Sequence, residues 1–119
     1  MSEHFRVEEM LCRCGCGKVF VHPDLIPTLE QIRGGYGLPM IITSGYRCLD
    51  YNKILFGGPE HPAGEAADVW CVGDENRFSL VSACLAAGIK RLGIGRDFIH
   101  IGISKTLPQP VAWLYGTSG

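Results

Sequence analysis

The sequence has almost no net charge, few charged residues and no long apolar run. Its 11 Lys and Arg oppose 12 Asp and Glu, which excludes the basic surface expected of a general nucleic-acid-binding protein. No apolar run approaches the roughly 20 residues that a membrane-spanning helix needs. Residues 1–10 are charged and lack the apolar stretch of a Sec-type signal peptide. We therefore expect a soluble protein, cytoplasmic at synthesis, without nucleic-acid partners or a membrane span.

Internal repeats and low-complexity linkers are also absent, and the 119 residues leave no room for a second sizeable domain. Hydrophobic residues make up 46% of the chain, which is too many for a disordered protein. Residues 1–119 are therefore expected to form one domain around one hydrophobic core, and we expect this domain to be a monomer.

The six cysteines have no C-x-x-C spacing, so a cysteine-based redox function ranks last among the candidate functions. Cys71 and Cys84 lie in apolar stretches and are expected in the core. The other four are Cys12, Cys14, Cys16 and Cys48. C-x-C-x-C is not the spacing of zinc knuckles, although Cys48 supplies a fourth thiol if segment 12–17 packs beside it. We favour a structural role for this segment, such as anchoring the N-terminus, over a second metal site; a disulfide formed after release from the cell is the remaining alternative.

Hydrophobic periodicity and the positions of Gly and Pro divide the chain into short elements. Helical spacing of apolar residues predicts helices over residues 23–33, 49–56 and 76–87, with Gly34-Gly35 ending the first. Strand-like runs cover residues 39–46, 66–72, 92–95, 98–103 and 111–115. Because helices come mainly early and strands mainly late, we predict an α+β domain whose small, largely antiparallel sheet has helices packed on one side.

Two of these otherwise apolar strands each carry one polar residue that could bind a ligand. In residues 98–103, alternation sends the isoleucines to the core face and His100 to the opposite face, with Gly102 leaving open space beside it. Asp68 lies in an apolar strand, where a carboxylate is costly unless it is paired or binds a metal. His61, in the turn before that strand, is placed to reach back toward Asp68.

Each of these residues also has an ordinary structural explanation. A lone histidine in a strand is more often a hydrogen-bonded structural residue than a ligand, and a lone aspartate after a turn is more often a cap. Together, however, two histidines and one carboxylate form a standard catalytic zinc set, with the fourth position open for water. His4 and His22 are assigned no such role, because one lies in a polar terminus and the other precedes a helix-starting proline.

The segments around these three residues carry a wider pattern. It consists of Ser44-Gly45-Tyr46-Arg47-Cys48, Asn52, Gly57-Gly58, His61-x-x-Gly64-x-Ala66-x-Asp68 and Phe98-Ile99-His100. Over about residues 5–115 the chain resembles the zinc D-alanyl-D-alanine carboxypeptidases. That family also contains D-Ala-D-Ala dipeptidases and phage endolysins that cut L-alanyl-D-glutamate bonds. The resemblance implies the small α+β fold that the family shares with the Hedgehog signalling domain.

The resemblance also implies roles for individual residues. The three ligands of one catalytic zinc ion are then His61, Asp68 and His100. Asp97 lies where the family has an acidic general base, although strand alternation lets it reach the metal only from a turn or bulge. Arg47 matches the arginine that holds substrate carbonyl or carboxylate oxygens. Asn52 supports either Arg47 or the substrate.

The chain departs from its relatives at two positions near these ligands. Pro59 stands where many relatives carry a serine, and Gly102 stands where some carry an acidic residue or a histidine. The implied function is hydrolysis of peptidoglycan stem peptides in the cell wall, of the D-Ala-D-Ala carboxypeptidase or L-Ala-D-Glu endopeptidase type, by an enzyme of phage or bacterial origin. The alternative is a non-catalytic zinc-containing binding module on the same fold. Asp97 and Arg47 argue against it, because a structural zinc needs neither.

Overall fold

The computed structural model describes residues 2–116 and contains three α-helices and five strands in that range. After a 3₁₀ turn at Val7–Met10, the elements are α1 (Leu25–Tyr36), β1 (Ile42–Ser44), α2 (Leu49–Ile54), β2 (Ala66–Trp70), α3 (Asp74–Ala86), β3 (Arg91–Ile94), β4 (Phe98–Gly102) and β5 (Val111–Leu114). Every predicted helix and strand is present, with ends shifted by a few residues. None of the helices in this part of the chain has the length and apolar character needed to cross a membrane.

The five strands form one sheet in the order β1-β2-β4-β3-β5. All neighbouring pairs are antiparallel except β3 and β5, which run parallel. The prediction of an α+β domain with a largely antiparallel sheet is therefore confirmed. The sequence pattern indicated neither this strand order nor the parallel edge strand β5.

The two faces of the sheet differ in chemistry because side chains alternate along each strand. On one face, Val69 of β2 and Ile99 and Ile101 of β4 are fully buried against α1 and α3, which form the core with them. On the other face, Asp68 pairs directly with His100 in the β2–β4 register. The helices of the core thus lie on one side of the sheet, and the polar residues lie on the other.

Helix α1 runs further than the sequence predicts. The Gly34-Gly35 pair does not end it, and the helix continues to Tyr36. It ends at Gly37, whose φ of 79° is the left-handed conformation that closes many helices, with its N–H bonded to the Arg33 carbonyl. A Cβ at position 35 would lie 3.5 Å from the Ala83 Cβ of α3, which is an ordinary contact distance, and a Cβ at position 34 would meet open space.

The N-terminal segment packs against the body of the domain. Phe5 and Met10 are fully buried in the core, and the Met10 carbonyl accepts a hydrogen bond from the Tyr46 N–H. Cys71 and Cys84 are also buried in the core, as predicted. These contacts bring the start of the chain next to the loop between β1 and α2, which carries several of the residues singled out above.

Candidate active site

His61, Asp68 and His100 converge at the polar face of the sheet. His61 Nε2 lies 3.3 Å from Asp68 Oδ1, and His100 Nδ1 lies 3.0 Å from the same oxygen. The two imidazole rings meet edge to face with centroids 5.0 Å apart. All three residues are buried. The pairing of β2 with β4 places Asp68 beside His100, whereas His61 reaches them from the turn before β2.

The far side of each imidazole ring is held by an oxygen acceptor. His61 Nδ1 lies 2.6 Å from the Gly45 carbonyl oxygen, which can only accept, so Nδ1 carries the hydrogen and Nε2 presents a lone pair. His100 Nε2 lies 2.8 Å from Glu60 Oε1, and donation there leaves Nδ1 facing Asp68. Such contacts to the second nitrogen are typical of histidines that bind a metal, because they set the tautomer and the ring orientation.

Glu60 is a site residue that the sequence analysis missed. Its side chain is buried, lies 3.0 Å from Arg91 Nε, and accepts a bond from the Ser104 N–H. Burial alone would raise the pKa of this carboxyl, but His100 and Arg91 hold the pKa below its usual range. Glu60 is therefore anionic at neutral pH.

Glu60 also corrects the expectation of open space beside His100. The carboxylate of Glu60 fills the volume next to Gly102, where any added side chain would collide with it. Gly102 thus makes room for the carboxylate of Glu60, which comes from a different loop. The sequence signal that could have indicated this is a glutamate directly before His61 together with a glycine two residues after His100.

Arg47 is oriented by three side chains at once. Its Nε donates to Ser44 Oγ at 3.0 Å, one Nη donates to Asn52 Oδ1 at 3.4 Å, and the other donates to Asp68 Oδ2 at 3.2 Å. Burial would raise the pKa of the Asp68 carboxyl, yet the neighbouring His100 and His61 keep the pKa well below its usual range. One oxygen of Asp68 therefore faces the histidines and the other faces the guanidinium.

Asn52 supports the position of Arg47 from helix α2. Its amide nitrogen donates to the carbonyls of Gly57 and Gly58 at 3.1 and 3.0 Å, and its oxygen accepts from Arg47. Asn52 is buried and does not line the cavity described below. Of the two roles predicted for Asn52, this geometry matches the support of Arg47.

Asp97 is not brought together with the other predicted residues. Asp97 lies in the bend between β3 and β4, where its carbonyl accepts a hydrogen bond from the Cys71 N–H at 2.9 Å. Asp97 is exposed and does not line the cavity. Its role as general base stays a prediction.

A cavity of about 500 Å³ opens above the three converging residues. Arg47, His61, Asp68 and His100 line it together with an aromatic wall formed by Phe56, Phe98, Trp113 and Tyr115. Trp113 lies 5.2 Å from the His100 ring, with the Arg91 guanidinium 5.1 Å from the Trp113 ring. A larger depression of about 700 Å³ elsewhere, bordered by Lys90 and Lys105, contains none of the three converging residues.

The donor atoms suit a metal ion. Two imidazole nitrogens and one carboxylate oxygen lie within 4.8 Å of one another, and the cavity leaves their open side accessible. Three protein ligands with one side open is the arrangement of catalytic rather than purely structural metal sites. The arrangement can therefore hold a metal ion and present it to a ligand in the cavity.

Comparison with known proteins agrees with this geometry. A family model described as Peptidase M15 matches residues 3–103, which include every residue of the converging group. A search among curated proteins found no match to the chain. Trp113 and Tyr115 lie beyond the matched residues, so part of the aromatic wall is not described by the family model.

Proposed function

The chain belongs to the peptidase M15 family of D-Ala-D-Ala carboxypeptidase-like zinc peptidases, and from this premise we propose that it hydrolyses a peptide bond in peptidoglycan stem peptides of the bacterial cell wall. The observation that carries the proposal is the buried His61, Asp68 and His100 group, open on one side to a cavity. D-Ala-D-Ala carboxypeptidase and L-Ala-D-Glu endopeptidase activity are the two forms considered, and the products of hydrolysis distinguish them.

One zinc ion would be held by His61 Nε2, Asp68 Oδ1 and His100 Nδ1. When bound, zinc polarises a carbonyl oxygen and lowers the pKa of a water molecule to about 7. The Gly45 carbonyl and Glu60 keep both imidazoles oriented for binding. Imidazole and carboxylate ligands without thiolate match the ligand preference of zinc in hydrolases.

The cavity walls supply the groups that bind and orient the peptide. The Arg47 guanidinium, held by Asp68 and Asn52, is charged and positioned to receive a carbonyl or carboxylate oxygen. Burial raises the pKa of Tyr115, so its hydroxyl is protonated at neutral pH and can donate to a developing oxyanion. Trp113 and Phe98 present apolar surface on which the short alanine side chains of a stem peptide can pack.

The proposed function is tested by incubating the zinc-loaded protein with purified peptidoglycan fragments and analysing the products by mass spectrometry. We expect new fragments that disappear with a zinc chelator and return when zinc is restored. Loss of a terminal alanine indicates the carboxypeptidase, and cleavage within the stem indicates the endopeptidase. A zinc-loaded protein that binds the fragments and cuts none of them would instead support the non-catalytic binding module.

Replacing Glu60 with glutamine tests its role as a positioning residue. The variant keeps the shape of the side chain but removes the charge that faces His100 and Arg91, so we expect zinc affinity to fall by about 10- to 100-fold. Competition with a chromophoric chelator measures the affinity, and excess zinc should restore most of the activity. Glu65→Gln, in the same loop, is the matched control. Unchanged zinc affinity in Glu60→Gln would contradict the assignment.

Replacing Asp97 with asparagine tests the general base. Because Asp97 is not one of the three converging residues, we expect the variant to keep its zinc. A general base contributes about 10²- to 10⁴-fold, so we expect turnover to fall by a factor in this range. Steady-state turnover and zinc content are both measured at saturating zinc. Turnover within about threefold of the wild type would show that Asp97, which is exposed and does not line the cavity, is not the base.

A further inference from the structure

Four cysteines form a second cluster of metal-binding side chains, separate from the histidine group. The sulfur atoms of Cys12, Cys14, Cys16 and Cys48 lie within 4.8 Å of one another. The Cys12 and Cys14 sulfurs are 3.4 Å apart, and those of Cys14 and Cys48 are 3.8 Å apart. All four are free thiols. These distances are far from the roughly 2.05 Å of a disulfide bond.

The spacing of the sulfurs matches a single tetrahedral metal ion. Zinc binds thiolates at about 2.3 Å, which places the corners of a tetrahedron about 3.8 Å apart. The observed separations of 3.4 and 3.8 Å are close to that edge. The ligand set contains sulfur only, which selects soft metals such as zinc over magnesium or calcium.

The local backbone explains how alternate cysteines converge. On an extended strand, Cys12 and Cys16 would lie on the same side but about 13 Å apart, which is too far for a shared ion. Gly15 and Gly17 have φ angles of 90° and 76°, which only glycine adopts without strain, and they coil the segment into a tight loop. The Cys12 N–H bonds to the Lys18 carbonyl and closes this loop.

Backbone donors also point at the sulfurs. The Cys48 N–H donates to the Cys12 sulfur at 3.4 Å, and the Lys18 N–H donates to the Cys16 sulfur at 3.4 Å. Amide donors of this kind stabilise the negative charge that thiolate ligands carry in a metal site. The cluster therefore has both the ligand geometry and the surrounding hydrogen bonds of a preformed metal site.

We propose that Cys12, Cys14, Cys16 and Cys48 bind a structural zinc ion, separate from the ion of the histidine group. The ion joins the N-terminal segment to the loop between β1 and α2. Since Cys48 directly follows Arg47, the same ion fixes the backbone that carries the cavity arginine. This replaces the metal-free anchoring role favoured by the cysteine spacing alone, because the tertiary structure brings the fourth thiol, Cys48, into place.

The test is a cobalt(II) titration of the full chain, purified with its thiols reduced. Thiolate-to-cobalt charge-transfer absorption reports sulfur ligands, so the histidine group does not contribute to it. We expect this absorption to appear and saturate during the titration, at one cobalt per chain in the variant that lacks His61, and to vanish when zinc is added. Cys16→Ser should lose it, whereas the core-cysteine control Cys71→Ala and the histidine-group variant His61→Ala should keep it.

Two results would overturn the proposal. One is a reduced wild-type chain that shows no charge-transfer absorption, and the other is a Cys16→Ser variant with undiminished absorption. If the variants fold poorly, the proposal is tested by alkylation of the wild type, because the exposed thiols of Cys14 and Cys16 are accessible to the reagent. We expect zinc to slow iodoacetamide modification of these two residues at least about tenfold relative to chelator-treated protein. Equal rates would refute the site even if peptidase activity is present.

Discussion

Replacing His61 with alanine is expected to lower the hydrolysis of peptidoglycan fragments by about 10³-fold or more. His61 supplies one of three converging donor atoms in a buried site, and alanine has no donor atom to replace it. A catalytic metal contributes several kcal/mol to stabilising the transition state, and each 1.4 kcal/mol corresponds to a factor of ten. The measurement is kcat/KM by mass spectrometry of released fragments, together with zinc content per chain.

The zinc content separates a lost ligand from a lost fold. His61→Ala should contain one zinc fewer than the wild type and keep the thiolate-to-cobalt absorption of the cysteine cluster. His22→Ala is the matched control, because this histidine lies outside the converging group and should change neither quantity. Wild-type activity in a His61→Ala protein that lacks the ion would exclude this site as the catalytic centre.

The second large effect is expected for Arg47→Lys, with a fall in kcat/KM of about 10²- to 10³-fold. Arg47 reaches Ser44, Asn52 and Asp68 simultaneously through its planar guanidinium, and a lysine ammonium cannot make these three contacts in the same geometry. The loss of one donor to a developing oxyanion is by itself worth a factor in this range. The substitution keeps the positive charge, so a contribution to catalysis that depends on charge alone would be retained.

Zinc binding again distinguishes the explanations for Arg47. If the arginine contacts substrate, Arg47→Lys should lose activity at full zinc occupancy. If the loss instead follows reduced zinc affinity and excess zinc rescues it, Arg47 acts through Asp68 as a positioning residue. Arg77→Lys, which alters a surface ion pair with Asp74, is the control and should leave activity unchanged. Unchanged kcat/KM in Arg47→Lys would refute both roles.

The specificity of the proposed peptidase is expected to depend on the part of the cavity that the family model does not cover. The residue match ends at position 103, yet β5 places Trp113 and Tyr115 on the cavity wall. Glu60 fills the space beside Gly102. These residues surround the His61, Asp68 and His100 group, so we expect them to affect which peptide is bound rather than whether a metal is held.

Much of the fold was predictable because hydrophobic periodicity is a local property. The isoleucines of β4 and the apolar stripe of α1 had to be buried, and alternation then placed His100 on the opposite face. The resemblance to the family could be seen in the sequence because His61, Asp68 and His100 occur together with the segment around Arg47. Helix α1 continues through its glycine pair because a helical glycine costs only about 1 kcal/mol, whereas Leu25, Leu29 and Ile32 of the same helix are buried in the core.

The sequence by itself determined the α+β class, the family and the three residues of the candidate metal site, since each depends on short-range pattern and spacing. Tertiary structure alone decided the rest: Glu60 against His100, Trp113 over the cavity, Cys48 beside the N-terminal thiols, and Asp97 outside the cavity. These contacts join residues that are distant in the chain or lie in loops without periodicity. They depend on strand order and loop packing, which follow from the free energy of the whole core and not from any local stretch of sequence.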